Sequence, residues 1–221
     1  MYYDYKLLPK KQVFILIVAS FFVSCSQSLY NQYSMSLSSV ESPIDAKVRW
    51  GDTKIIETST NGTPRYQYED DYIKIIWSST STQFNFDLLN KTPFTIKINW
   101  DEMVYVDVTG TAQRVMHTGT KYADRNMHQP HSVIPKNTFI TEVVLPTDKI
   151  YLDHTPTALL GMPAEWKSRP MLPQFSSLKE LMDSGILGKK VRILFPIIIQ
   201  DVQNEYIFEF QIDTAKMINE Q

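Results

Sequence analysis

Apolar and polar residues alternate between Thr82 and His117 in a way that predicts three consecutive antiparallel strands. An Asn-Lys-Thr-Pro turn and a Val-Thr-Gly-Thr turn separate the three segments. Side chains two positions apart share one face of a strand. The buried faces are therefore predicted to carry Phe84, Phe86 and Leu88; Phe94, Ile96, Ile98 and Trp100; and Val104, Val106 and Val108, respectively.

Further strands are predicted on both sides of this central unit. They are a hairpin within 46–58 around Gly51-Asp52, then Tyr72–Trp77, Thr138–Pro146, Val191–Ile199 and Tyr206–Ile212. The run Tyr72–Trp77 is apolar on both faces, which is typical of an inner strand. Pro196 lacks the N–H that a strand interior needs, so it predicts a sheet edge or a bulge.

One short helix is predicted near 177–184. Ser177 and Glu180 have the spacing of a capping box, and Gly185 follows where a helix would end. About seven or eight strands with a single helix favour a mostly β fold, built as an antiparallel two-sheet sandwich. The predicted domain covers 46–221, with long loops at 118–136 and 153–175.

The first 24 residues have the features of a bacterial targeting signal. Three lysines precede the apolar run Val13–Val23, which is too short to span a bilayer as a helix. The segment ending in Ser24-Cys25 resembles the lipobox of bacterial lipoproteins, in which the cysteine is acylated and becomes the new amino terminus. An ordinary secretory signal with an incidental cysteine is the alternative. The Ser/Asn/Gln-rich stretch 25–45 is predicted to be a flexible tether.

The resemblance implies attachment to a membrane through the lipid on Cys25. More than one acyl chain makes such attachment stable, since each buried CH₂ contributes about 0.8 kcal/mol. The mature start also resembles lipoproteins of Bacteroidota, which implies the cell envelope and the outer membrane of a Gram-negative bacterium. Cys25 is the only cysteine, so its acylation would leave no thiol for a disulfide, a metal or a nucleophile.

Composition and charge exclude binding that is driven by net charge. There are 22 basic and 24 acidic residues with no block of like charge, which argues against a nucleic-acid partner. The chain also lacks the glycine-rich phosphate loops and the nucleophile elbow of common enzymes, and no cofactor is predicted. The acidic runs Asp101-Glu102 and Glu69-Asp70-Asp71 are expected to lie in solvent at strand ends.

Several soft motifs together resemble the water-stress module of the late embryogenesis abundant group-2 proteins. They are Phe84-x-Phe86, Asn90-Lys91-Thr92-Pro93, Ile96 with Ile98, Gly110, Ile134-Pro135 and Tyr206 in a closing strand. The match covers roughly Tyr72–Ile150, and the helix and the proline-rich segment depart from it. The resemblance implies an immunoglobulin-like or fibronectin-like sandwich and no catalytic residues.

The histidines give the chain its only candidate metal site. His117, Asp124, His128 and His131 lie close together in sequence, and zinc accepts histidine and carboxylate ligands. Pro130 between the last two histidines is incompatible with a regular helix, so solvated loop histidines are the favoured interpretation.

The tryptophans divide into interior and exposed candidates. Trp77 and Trp100 are in register with core residues, whereas Trp166 in the proline-rich loop is a candidate for an exposed binding contact. The first functional hypothesis is a non-enzymatic envelope lipoprotein whose loops bind a protein or glycan partner. The alternative is a metal-dependent or hydrolytic periplasmic enzyme that uses the His117–His131 region.

Overall fold

The computed structural model describes residues 29–41, 54–60, 63–154 and 163–219. The predicted signal peptide 1–24, Cys25 and the turn at Gly51-Asp52 lie outside these residues. No helix within the described ranges is long and apolar enough to cross a bilayer.

Most of the described chain is β-structure. The strands are β1 (Leu29–Glu41), β2 (Lys54–Thr60), β3 (Thr63–Glu69), β4 (Ile73–Ser79), β5 (Phe84–Asn90), β6 (Ile96–Ile98), β7 (Val104–Val106), β8 (Ala112–Met116), β9 (Ser132–Ile134), β10 (Phe139–Pro146), β11 (Ile150–Asp153), β12 (Glu165–Ser168), β13 (Lys190–Ile199) and β14 (Val202–Asn219). One α-helix, α1 (Leu178–Asp183), and two short 3-10 helices, Tyr122–Asp124 and Thr147–Lys149, complete the described elements.

Twelve of these strands form one antiparallel sheet. Its path runs β1-β14-β13-β7-β8-β10-β5-β4-β3-β2, with β6 paired to β13 and β9. The prediction of a mostly β, antiparallel fold is confirmed, and the described residues contain one α-helix. The prediction of a sandwich of seven or eight strands is wrong, because the main sheet is larger and curls until it is almost closed.

Aromatic packing holds the two halves of this curled sheet together. The Trp77 ring of β4 lies 5.1 Å from Phe208 of β14 and 5.7 Å from Phe195 of β13, centroid to centroid. Trp77 and Trp100 are both fully buried, as predicted. The largest apolar side chains of β4, β5, β13 and β14 thus share a single core.

The central unit 82–117 forms strands where predicted but does not pair as predicted. β5 lies between β4 and β10, whereas β6 and β7 both pair with β13, one after the other along the same edge. Because β6 and β7 have only three residues each, the ten-residue β13 is long enough to pair with both of them. In β7 the buried side chain is Tyr105, while Val104 and Val106 are half-buried, so the predicted register there is wrong.

Pro196 lies in a central strand, contrary to the prediction of an edge or bulge. β13 pairs with β14 along its whole length, and its other edge pairs with β7 up to Leu194 and with β6 from Ile197. The Pro196 carbonyl accepts from the Asn99 N–H on that second edge, at 3.1 Å. Pro196 has no N–H to return this bond to Asn99, and the pairing of β13 passes from β6 to β7 at this point.

Residues 29–41 form the long strand β1, so the prediction of a flexible tether over 25–45 is wrong for this part. β1 pairs with β14, and Met35 and Leu37 are buried among the core residues. Serine and glutamine side chains alternate with the apolar ones. The stretch is therefore polar in composition, although its apolar residues recur at every second position, as in a strand. The folded domain consequently includes residues well before position 46.

The two predicted long loops also contain strands. β9 lies within 118–136, and β12 lies within 153–175, where it pairs with β11 as a separate two-stranded sheet. β3 was also not predicted, although its alternating Tyr66 and Tyr68 are buried.

The helix α1 is confirmed with its predicted cap. Ser177 accepts from the Glu180 N–H at 3.2 Å, and the Glu180 carboxylate accepts from both the N–H and the hydroxyl of Ser176. Gly185 follows with φ +62°, a conformation that glycine adopts without a Cβ clash.

Candidate functional site

His117 is held against the core rather than displayed on a loop. Its imidazole stacks on the indole of Trp100 with centroids 4.2 Å apart and planes 10° apart. Its Nδ1 lies 3.5 Å from Oε1 of Glu142, and the other carboxylate oxygen of Glu142 accepts from the Thr118 N–H at 3.0 Å. His117 and Glu142 therefore lie side by side at the end of β8, with both side chains largely buried.

His128 belongs to a different cluster, which is centred on Asp101. The Asp101 carboxylate contacts Nδ1 of His128, the guanidinium of Arg114 at 3.0 Å and the N–H of Gln129 at 3.1 Å. Partial burial raises the pKa of Asp101, but the donors from Gln129, His128 and Arg114 outweigh it and hold the pKa below its usual range. This cluster fixes the segment before β9 against β8.

The structure does not bring the four residues of the alternative metal site together. Asp124 ends a 3-10 helix and His131 is exposed just before β9, while His117 and His128 have separate carboxylate partners. Within residues 29–41, 54–60, 63–154 and 163–219, no three His, Cys, Asp or Glu side chains come close enough together to hold a metal ion.

Trp166 is not the exposed loop residue that was predicted. It lies in β12, is half-buried, and packs against the small apolar cluster of Met116, Leu145 and Ile150. The guanidinium carbon of Arg125 lies 5.0 Å from the centroid of its ring, a cation–π arrangement. The side chain therefore fastens the two-stranded sheet to the rest of the domain.

A cavity opens where the curled sheet fails to close, between β1 and the start of β3. We call it the seam cleft, and its volume is about 450 Å³. A smaller cavity of about 220 Å³ continues from it towards Leu172 and Gln174. The seam cleft is lined by Gln32, Tyr33, Ser34, Met35, Thr63, Pro64, Tyr66, Ser79, Thr80, Thr214 and Lys216.

The wall of the seam cleft is positioned by contacts between β1 and residues 173–175. The Tyr33 hydroxyl donates to the Pro173 carbonyl at 2.5 Å, and the Asn31 N–H donates to Oε1 of Gln174 at 2.9 Å. Backbone groups two residues apart on a strand point the same way. The Tyr33 N–H and C=O therefore point away from β14 and towards the cleft.

The seam cleft is rich in neutral hydrogen-bonding groups. Burial raises the pKa of Tyr33 to about 12, so its hydroxyl remains protonated at neutral pH. Burial also raises the pKa of Tyr66, with smaller contributions from Glu57 and Asp213. Among the described lining residues none is a carboxylate, and Lys216 is the one charged side chain.

A buried carboxyl, Asp70, lies apart from the cleft in the core. Its Oδ2 accepts from the hydroxyls of Tyr68 at 3.1 Å and Tyr206 at 3.0 Å, and its Oδ1 accepts from the N–H groups of Tyr72 and Ile73. Burial raises its pKa above the usual range, although all four donors oppose that shift. The expectation that this acidic run lies in solvent is wrong for Asp70.

No motif in the sequence indicates the seam cleft, because its lining comes from four separate strands. The signal that could have located it is the period-2 pattern of Tyr33, Met35 and Leu37, which marks β1 as part of the sheet. Comparisons of the chain with protein-family models, with curated proteins and with solved structures gave no match. The geometry of the chain itself is thus the basis on which its function can be inferred.

Proposed function

We propose that this chain is a lipid-anchored cell-envelope protein that binds a hydroxyl-rich glycan in its seam cleft and catalyses no reaction. The observation that carries the proposal is the lining of the cleft. Five threonine and serine hydroxyl groups, the Gln32 amide and two tyrosines surround a cavity within the usual range for ligand pockets, about 300–1,000 Å³.

This lining matches the chemistry of a sugar. Sugar hydroxyls both donate and accept hydrogen bonds, as the hydroxyl of Thr214 can, whereas the Thr80 hydroxyl is engaged by Gln83. Tyrosine rings offer flat apolar surface beside a polar group. With Lys216 as the single charged liner, a neutral or weakly acidic glycan fits better than a strongly charged one.

The same lining favours binding over hydrolysis. Glycoside hydrolysis uses a pair of carboxyl groups flanking the scissile bond. The described residues of the seam cleft supply none, and Asp70 is enclosed in the core by its tyrosine partners. The resemblance to the water-stress module stays a prediction, and it too implies no catalytic residues.

A glycan array probed with the full lipidated chain in detergent tests this proposal. Candidates include peptidoglycan fragments, lipopolysaccharide cores and polysaccharides from the environment. For any glycan bound, Gln32→Ala combined with Thr214→Val is expected to weaken affinity by about 10-fold, since each net hydrogen bond contributes about 0.5–1.5 kcal/mol.

Thr95→Val is the matched control, because Thr95 is an exposed threonine that does not line the cleft. It is expected to leave glycan affinity unchanged. Equal affinity of the cleft variant and the wild type would reject the cleft as the site. Binding of an extended peptide but of no glycan would favour a protein partner instead.

The lipid anchor is tested separately from the cleft. Cys25→Ser is expected to abolish incorporation of labelled palmitate and to move the protein from the membrane fraction to the soluble fraction or leave it as an uncut precursor. Unchanged labelling and fractionation of this variant would reject the anchor and, with it, the predicted outer-membrane location.

A further inference from the structure

Two large apolar side chains of α1 are directed into solvent. Leu178 is 59% exposed and Met182 is 66% exposed, whereas Leu181 between them is buried in the core. Residues four apart lie on the same face of a helix, so Leu178 and Met182 form one apolar face. We call this pair the α1 apolar face.

The α1 apolar face lies next to the beginning of β1. The Phe175 N–H donates to Oδ1 of Asn31 at 2.5 Å, and Nδ2 of Asn31 donates back to the Phe175 carbonyl at 3.3 Å. Only Ser176 and Ser177 separate Phe175 from the helix. These reciprocal bonds fix the first turn of α1 beside the third residue of β1.

The sequence limits how far this end of the domain can lie from an anchored Cys25. Three residues separate Cys25 from Leu29, the first residue of β1. At most about 3.6 Å per residue, four steps of fully extended chain span about 14 Å. A lipid on Cys25 therefore holds the start of β1, and α1 with it, close to the membrane surface.

We infer that the α1 apolar face rests on the lipid surface, with Leu178 and Met182 inserted among the headgroups. This inference rests on the proposed lipid anchor. The remaining side chains of the helix argue for apolar insertion rather than attraction to anionic lipid, because Glu180 and Asp183 outnumber Lys179. Placing α1 on the membrane removes the two exposed apolar side chains from water.

Site-directed spin labelling of the full lipidated chain in phosphatidylcholine vesicles tests this contact. Acylation consumes the thiol of the only cysteine, so Met182→Cys introduces the single thiol that a nitroxide can label. Val202→Cys is the matched control. Val202 is likewise an exposed apolar residue, at 45%, but it lies at the opposite end of β14 from Asn219, which pairs with Leu29.

The nitroxide at 182 is expected to collide more often with oxygen, which partitions into lipid, than with a water-soluble nickel complex. The nitroxide at 202 is expected to show the reverse. Adding Leu178→Ser to the Met182→Cys variant is expected to shift the label at 182 towards the aqueous collision partner, because half of the apolar face is lost.

The experiment distinguishes failure of the α1 contact from failure of the lipid anchor. If both labels are equally accessible to nickel while the protein carries palmitate and sediments with the vesicles, the anchor stands and the α1 contact is rejected. If palmitate is absent and the protein stays in solution, the anchor is rejected and the α1 contact falls with it.

Discussion

Replacing Tyr206 by phenylalanine is expected to destabilise the fold far more than the same change at Tyr105. Both tyrosines are fully buried in the core. The Tyr206 hydroxyl donates to Asp70, which is itself 2% exposed. The Tyr105 hydroxyl has no hydrogen-bond partner among the described residues. Each substitution removes one buried hydroxyl oxygen, but within the described part of the chain the Tyr206 hydroxyl is hydrogen-bonded and the Tyr105 hydroxyl is not.

The expected magnitudes follow from those partners. A hydrogen bond to a charged group contributes about 1.5–3 kcal/mol, and its loss leaves a buried carboxylate oxygen with one donor fewer. For a domain of this size each kcal/mol shifts the melting temperature by about 2–4 °C, so Tyr206→Phe should lower it by about 3–12 °C. Tyr105→Phe removes a buried, unpaired hydroxyl and should leave the melting temperature unchanged or higher.

Thermal melts followed by near-ultraviolet circular dichroism, with urea unfolding at 25 °C, measure both variants. Tyr68→Phe alone and combined with Tyr206→Phe completes a double-mutant cycle for the two donors that share Oδ2 of Asp70. Equal losses for Tyr105→Phe and Tyr206→Phe would refute the reasoning, because the cost would then come from ring packing. A neutral Tyr206→Phe would show that its bond to Asp70 does not support the fold.

Two further predictions concern acid titration and metal. Because burial raises the pKa of Asp70 above its ordinary 3.8, the folded chain holds this proton to a higher pH than the unfolded chain does, so this group's contribution to stability falls as pH rises above about 4. The unfolding free energy of wild type relative to Asp70→Asn should accordingly increase as pH is lowered from 7 towards 4; a constant difference over that range would contradict it. Micromolar zinc should not raise the melting temperature relative to chelator, because His117 and His128 face separate carboxylates, and a rise that a His128→Ala/His131→Ala variant abolishes would restore the metal hypothesis.

Local periodicity predicted the faces of the longer strands well. Phe84, Phe86 and Leu88 are buried as their spacing required, and Ser177 caps α1 as its spacing to Glu180 indicated. Period-2 burial acts over a few residues, so it is visible in a short window. Composition was a poorer guide, since the serine-rich polar face of β1 obscured its buried Met35 and Leu37.

Partner choice could not be predicted from the same patterns. β6 and β7 are too short for their own sequence to specify a neighbour, and their position is set by the long β13. The buried state of Asp70 depends likewise on Tyr206, which is distant in sequence. The seam cleft is harder still to predict, since it exists only where two edges of the sheet fail to meet.

If the chain is exported as proposed, the pairing of β1 with β14 has a consequence for the order of events. Leu29 pairs with Asn219, and within the described residues β14 is the only strand that pairs with β1. A chain that crosses a membrane from its amino terminus delivers β1 first and its partner last. The strand nearest the proposed anchor then waits unpaired until residues 207–219 have followed, and such long-range pairing is intrinsically slow. A lipid attached to Cys25 before residues 207–219 have followed would thus be joined to a chain whose first strand has no partner yet.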